Sequence, residues 1–169
     1  MKARSIGPAA MSGRIGAVAS IPGDPTTIWV GAASGGVWKS TDGGVRFEAV
    51  FDDQDVTSIG AIAIDPRTPE VVWVGTGEGN PRNSASVGRG IYRTKDGGRS
   101  WQKLGLEKTE HIHRIALHPT NPDIAYVAAL GSTWGDDEER GVFGTKDGGA
   151  TWQKLLYVDA RTGCCDLAM

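Results

Sequence analysis

Cysteine is almost missing from this chain. Its two copies, Cys164 and Cys165, are adjacent. That spacing is poor geometry for a disulfide, so there is no crosslinked framework to read, and two free thiols favour a reducing compartment. An excess of one charge is also missing. Lys and Arg number 18 against 20 Asp and Glu, a formal net charge of −2, and no basic excess or basic run marks a nucleic-acid surface. Long apolar runs are absent: nothing approaches the roughly 18 residues of a membrane helix, and Lys2 and Arg4 are not followed by the apolar stretch of a secretory signal. Nucleic acid and membrane are therefore not expected partners, and the chain as written reads as cytoplasmic.

Breaker-free segments of helical length are scarce too. With 25 glycines and 8 prolines among 169 residues, the pattern favours short strands joined by tight turns. Hydrophobic residues at 39% and charged residues at 22% still allow a globular core.

What the chain does have is repetition. Three segments align without a gap: "IGAVASIPGDP" from Ile15, "IGAIAIDPRTP" from Ile59 and "IHRIALHPTNP" from Ile112. Each runs into a β-branched and aromatic second strand, "TIWVGA", "VVWVGT" or "IAYVAA". A third strand follows ("GVWKS", "GIYRT", "GVFGT"), then Asp-Gly-Gly, then a fourth ("RFEAVF", "SWQKLGL", "TWQKLLY"). The Asp-Gly-Gly sites recur from Asp42 to Asp96 to Asp147. Four short strands at a period of about 40 to 50 residues predict a propeller blade.

Asp suits such a turn because its carboxylate accepts backbone amides just ahead, while the glycines permit positive φ. The aromatic four or five residues on, Phe47, Trp101 or Trp152, is expected to pack back over the turn. The segments "STDGGVRF", "TKDGGRSW" and "TKDGGATW" resemble the Asp-box, or bacterial neuraminidase repeat, of sialidases, xyloglucanases and sortilin-like propellers. With "GPAAMSGRIGA", "GTGEGNPRNS" and "ERGV", the whole chain resembles bacterial proteins described as glycosyl-hydrolase-like or sortilin-like repeat proteins, as an N-terminal piece of one. The resemblance implies an all-β propeller segment. It also implies that Asp42, Asp96 and Asp147 are structural, because the Asp-box of the family lies away from the catalytic centre. An exported parent protein is compatible with it. The first box departs from the pattern with Arg46 where a small hydroxyl residue is expected, which predicts a looser turn.

The expected organisation is an N-terminal arm over 1–14, blades over 15–52, 53–107 and 108–158, and the first strand of an incomplete fourth blade over 159–169. In "TGCCDLAM", Leu167, Ala168 and Met169 align with Ile62, Ala63 and Ile64. Three blades leave two uncovered apolar faces, so self-association into a homodimer or larger ring is expected. The leftover strands "RSIGPA" and "CCDLAM" would then pair between chains.

In an up-and-down blade the proline turns and Asp-boxes share one end, and the loops after the second strands share the other with the links between blades. Blade 1 crosses that second face with "AASGGV", whereas blades 2 and 3 insert "GTGEGNPRNSASVGRG" and "ALGSTWGDDEERG". Long loops on a rigid scaffold carry function. Several readings compete there. Glycan or peptide binding would use Trp134 for stacking, with Asn80, Arg82, Asn83, His111, Arg114 and Arg140 as polar contacts. Against it, Asn, Pro and Ser would simply shape a turn and "DDEER" would be a solvated loop. Glycoside hydrolysis would need two carboxyl groups roughly 5 to 10 Å apart, with Glu78, Glu110, Asp136 and Glu138 as candidates; the full arginine and tyrosine set of a sialidase is not present. A divalent metal such as zinc would be held by the alternating pair His111 and His113, with Glu78 or Glu110 as oxygen ligand, and would activate water for ester hydrolysis. Against that, His113 occupies the slot of Gly16 and Gly60 and would only fill space at the channel rim. Cys165 falls in the same slot, as a thiolate ligand or a packed small thiol. The plainest reading is a structural segment whose partners are other blades.

Overall fold

The computed structural model describes residues 14–80 and 82–169. The first sheet contains β1 (Ile15–Ile21), β2 (Asp24–Ala32), β3 (Gly36–Ser40) and β4 (Glu48–Ala49). The second contains β5 (Ile59–Ile64), β6 (Val72–Thr76), β7 (Ile91–Thr94) and β8 (Gln102–Lys103), and the third β9 (Ile112–Leu117), β10 (Ala125–Ala129), β11 (Gly141–Thr145) and β12 (Gln153–Leu156). Every sheet is antiparallel, with its strands ordered as in the chain. These are the three expected four-stranded blades. The only helical element among the described residues is a short 3-10 turn, Glu107–Thr109. The expected N-terminal arm and the "RSIGPA" strand lie almost wholly outside the described residues.

Burial follows strand type. The middle two strands of each blade carry most of the buried positions, and β6 and β11 are buried throughout. β5 packs against β1 and β2, and β9 against β5 and β6. The fit depends on a missing side chain in β2 and in β6: a Cβ at Gly31 would fall against Ile59, and one at Gly75 against Ile112. Those two isoleucines are 0% exposed.

The Asp-box turns are built alike. The hydroxyls of Ser40, Thr94 and Thr145 donate to Asp42, Asp96 and Asp147 at 2.8, 2.7 and 2.7 Å. The same hydroxyls accept the amides of Gly44, Gly98 and Gly149, each at 2.9 Å. The carboxylates then accept the amides of Arg46, Ser100 and Thr151, again at 2.9 Å. Both glycines of each pair hold positive φ, for example +70° at Gly97 and +96° at Gly98, which other residues adopt only with strain. Ser100 and Thr151 add a hydroxyl bond to the second carboxylate oxygen, at 2.6 and 2.5 Å. Asp42 has no such bond among the described residues, the consequence of Arg46 at that place. Each box is also tied to the first turn of its own blade, by Gly43 N–H to Thr26 O, Gly97 N–H to Glu70 O and Gly148 N–H to Asp123 O at 2.9 to 3.0 Å. The proline turns and Asp-boxes therefore share one end.

Phe47 lies over its own turn, 3.8 Å from where a Cβ on Gly44 would stand, and Trp101 and Trp152 in addition reach into the preceding blade. Their indole N–H groups donate to Val50 O (2.6 Å) and Leu104 O (2.7 Å), carbonyls just past the fourth strand of that blade. Their rings meet Trp29 and Trp73 edge to face at 6.3 Å. Through those carbonyls each of these two indole N–H groups avoids the cost of an unpaired buried donor, a cost that Trp29 Nε1 in the first joint does carry. A cation answers from the other side. Lys39 donates to Gly97 O at 3.0 Å and Arg93 to Gly148 O at 2.6 Å, each lying over the tryptophan of its own blade.

Residues 157–169 form no strand, in contrast to the first strand expected over 159–169. A first strand draws its ladder from the second strand of its own sheet, and this segment has none here. It is instead held to blade 3 by Cys164 N–H to Ala129 O at 3.1 Å and by Arg114 to Asp166 at 3.3 Å.

Two outcomes follow from the joints and turns. Trp152→Phe keeps an aromatic ring but leaves Leu104 O without its donor, and is predicted to lower the unfolding free energy by about 1–2 kcal/mol in urea titration; an unchanged midpoint would contradict the joint. The Thr151 hydroxyl and amide, with Thr145, hold the Asp147 carboxyl down at about 2. A depressed carboxylate contributes stability above its unfolded pKa, and that contribution is lost as pH falls from about 4 toward 2. Asp147→Asn should therefore flatten the loss of melting temperature across that window, and an identical acid profile would overturn this.

Candidate functional site

The face opposite the Asp-boxes gathers around a short turn after β6. Glu78 is fully buried there, and both of its carboxylate oxygens are held by the Arg14 guanidinium, Nε to Oε1 at 2.6 Å. That pairing holds the Glu78 carboxyl below the usual carboxylate range. The Glu78 amide donates to Ser58 Oγ at 2.9 Å. Arg14 enters from blade 1, so the pair joins two blades. The glycines beside Glu78 are set by close approach: a Cβ at Gly77 would strike the Glu110 carbonyl, and one at Gly79 would fall on the His113 ring. The "GTGEGN" stretch is thus pressed directly onto blade 3.

His111 and His113 both abut this turn. His111 is 2% exposed, its Nε2 lies 3.0 Å from Thr133 Oγ1, and burial pushes its imidazole below the ordinary value. The Nδ1 atoms of both histidines are buried without a hydrogen-bond partner. His113 also lines, with Gly16, Gly60 and Arg114, a cavity of about 400 Å³ bounded by the three first strands. Glu110, just before His111, has φ +49°, and its carbonyl accepts Gly88 N–H at 2.6 Å. Among the described residues, no group of three or more His, Cys, Asp and Glu side chains is arranged to hold a metal ion. Cys165 is exposed and Cys164 half-buried.

The blade 3 loop is organised by one side chain. Arg140 donates from Nε to Ala160 O (2.8 Å), from one terminal nitrogen to Leu130 O (2.6 Å), and from the other to Ser132 O (2.6 Å) and Gly135 O (3.1 Å). Asp137 accepts the amides of Ser132 and Glu139 at 2.6 and 2.8 Å. Arg140, read as a binding residue in the sequence, is therefore occupied with its own loop. That loop carries Trp134, which is 69% exposed. Asn80, Arg82 and Asn83 are exposed on the blade 2 loop. The candidate carboxylates have different settings. Glu78 is buried in its pair, Asp136 meets Arg161 at 2.9 Å on the surface, and Glu138 is exposed.

One cluster had no signal in the repeat. Tyr92, 1% exposed, donates its hydroxyl to Asp55 at 2.5 Å, and Lys103 and Arg89 stand 3.6 and 3.7 Å from the same carboxylate. Burial, with Asp55 beside it, pushes the Tyr92 phenol well above its usual pKa. Asp55 lies in a link between blades whose register no alignment fixes. His118, in its proline turn, is half-buried and accepts the amides of Thr120 and Asn121 on Nδ1, at 3.2 and 3.1 Å, as Asp65 accepts that of Arg67.

With this geometry in view, the family model described as "Sortilin, neurotensin receptor 3" (Sortilin-Vps10) matches residues 35–166, most of the chain. The chain belongs to the Sortilin-Vps10 family. Solved structures agree on the fold of this family member. An ancestral GH74 enzyme is 23% identical with a TM-score of 0.66, over 86% of this chain and 19% of its own. The GH74 xyloglucanase from Xanthomonas campestris is 19% identical with a TM-score of 0.61, over 84% and 20%. YCF48 bound to D1 peptide is 19% identical with a TM-score of 0.59, over 88% and 42%. The Sortilin-Vps10 chain thus spans about a fifth of the two GH74 chains and about two fifths of YCF48. No curated protein sequence matches it. No helix among the described residues is long and apolar enough to cross a membrane.

The buried His111 gives a pH signature. A histidine whose folded pKa is depressed makes the protein lose stability as pH falls below the unfolded value near 6.5. His111→Gln should remove that part of the decline between about pH 6.5 and 5 in thermal melts, and a decline of wild-type size in the variant would contradict the assignment.

Proposed function

We propose that this chain is a propeller scaffold whose loop face binds a glycan or a polypeptide, with association of further copies completing the ring of blades. The observation that carries the reading is Trp134, 69% exposed on a loop that Arg140 pins through four carbonyls. A large exposed ring on a fixed support offers contact area at little entropic cost. Asn80, Arg82 and Asn83 supply hydrogen-bonding groups on the neighbouring loop, and His111 fixes the base of the Trp134 loop through Thr133. Arg114 contributes charge beside the cavity between the first strands. Two of the fold relatives bear names in keeping with the two ligand classes, YCF48 bound to D1 peptide and the Xanthomonas campestris xyloglucanase.

A hydrolase is the second reading, favoured by the unpartnered buried Nδ1 atoms of His111 and His113 beside Glu110. It would be metal-dependent through that pair with a divalent ion such as zinc, or glycosidic through Glu110, Asp136, Glu138 or Glu78. The Arg14 pairing already commits Glu78 to structure.

Screening glycan and peptide arrays, then repeating on Trp134→Ala, tests the leading reading. Affinity for any hit should fall at least tenfold, about 1.4 kcal/mol, with an unchanged melting temperature because the side chain is exposed. Wild-type affinity in the variant would sink it. Turnover of a labelled glycan or ester that is lost in Glu110→Gln or His111→Gln would move the assignment to hydrolysis.

A further inference from the structure

We infer that the ligand of the Trp134 loop is a basic segment of a polypeptide, with an arginine or lysine side chain laid on the indole face and the loop carboxylates beside it. The inference rests on the binding reading above and names the class of ligand within it.

The loop sequence sets the chemistry. In "TWGDDEERG" one aromatic ring precedes four consecutive carboxylates. The fold gives them different tasks. Asp137 is turned onto the amides of Ser132 and Glu139, and its own N–H donates to Ala160 O at 2.8 Å, the same carbonyl that Arg140 Nε reaches. The loop's shape is thereby set from within the chain. Asp136 and Glu138, two and four positions after Trp134, are left exposed.

The neighbouring cations are largely committed elsewhere. Arg140 directs its N–H groups at four carbonyls, and Lys154 donates to Glu138 O while lying over Phe143 and Tyr157 at 5.4 and 4.9 Å. Arg161 meets Asp136 at 2.9 Å, but its side chain is 82% exposed, and an exposed pair of this kind exchanges partners at small cost. Tyr157 reports the sign of the field. Desolvation and then Glu138, Asp159, Asp136 and Asp137 push its phenol above the usual value, so four carboxylates act on one point of this surface.

The ring itself favours the same ligand. Trp29, Trp73, Tyr92 and Phe143 each have a lysine or arginine over the ring at 4.9 to 5.8 Å, whereas no such cation lies over Trp134 among the described residues. An indole face attracts a cation more strongly than a phenyl or phenol does. Ring and carboxylates therefore act in the same direction. A neutral sugar can stack on the ring and donate hydroxyls to the carboxylates, but only a cation gains from their net charge, and an acidic segment is repelled by it.

Isothermal titration of the full chain tests this with end-capped Gly-Ser peptides carrying spaced arginines, the same peptides with glutamates in their place, and neutral xyloglucan oligosaccharides. The arginine peptide should bind at least tenfold more tightly than the glutamate peptide, about 1.4 kcal/mol, and the advantage should shrink as salt is raised. Trp134→Leu, which keeps apolar area but no ring face, should lose the arginine peptide. Asp136→Asn combined with Glu138→Gln should remove most of the preference with an unchanged melting temperature, since both carboxylates are exposed. Arginine-peptide binding that survives Trp134→Leu, or that the glutamate peptide matches, overturns the inference. Neutral oligosaccharide bound through Trp134 without binding of the arginine peptide overturns it as well and leaves the binding reading standing. No binding of peptide or oligosaccharide overturns both.

Discussion

The bond from an Asp-box tryptophan to a carbonyl of the preceding blade is the contact on which the rest of this structure depends. Each blade is a small sheet whose fourth strand is only two residues long in the first two cases, and such a sheet cannot bury both of its faces alone. Trp101 and Trp152 solve this at the edge farthest from the first strands, while Ile59 and Ile112 fill the glycine gaps at the inner edge. The Asp-box turn is the foundation of that arrangement. By satisfying its own amides through Asp and Ser or Thr, it fixes where the aromatic emerges, and its glycine carbonyl remains available to the cation of the preceding blade.

The same economy governs the opposite face. Residues that look chemical in the sequence are partly spent on assembly: Glu78 and Arg14 join blades 1 and 2, His111 sits under the blade 3 loop, and Arg140 saturates four carbonyls. Breaking a buried pair such as Arg14 and Glu78 strands a charge, so loss of activity in a Glu78 variant would not by itself identify a catalytic acid. What this construction leaves outward includes Trp134, Asn80, Arg82 and Asn83, together with Asp136 and Glu138.

Much of the fold was legible because the repeat is local. Strand order, the Asp-Gly-Gly turns and the structural role of Asp42, Asp96 and Asp147 follow from residues a few positions apart. Arg46 predicts a looser first turn; that turn keeps the same backbone and serine bonds as the others and, among the described residues, lacks only the hydroxyl bond that Ser100 and Thr151 make. Pairings between blades were not legible. Arg14 meets Glu78 across 64 positions and Trp101 meets Val50 across 51, and no short-range pattern encodes either. One clue was present: Lys39 and Arg93 occupy the same place before the Ser or Thr of their boxes, a repeated cation that marks a repeated partner. The inner strand expected at the C-terminal end failed for a different reason, since apolar alignment alone does not supply a ladder partner.

Amide and indole hydrogen exchange, followed by NMR on uniformly labelled protein, tests the central claim about the joints most directly. The indole protons of Trp101 and Trp152 should be strongly protected and should exchange only with global unfolding, whereas that of Trp134 should exchange at the rate of an exposed side chain. Rapid exchange at Trp101 and Trp152, comparable to Trp134, would show that the blades are not held by these bonds and would contradict the account.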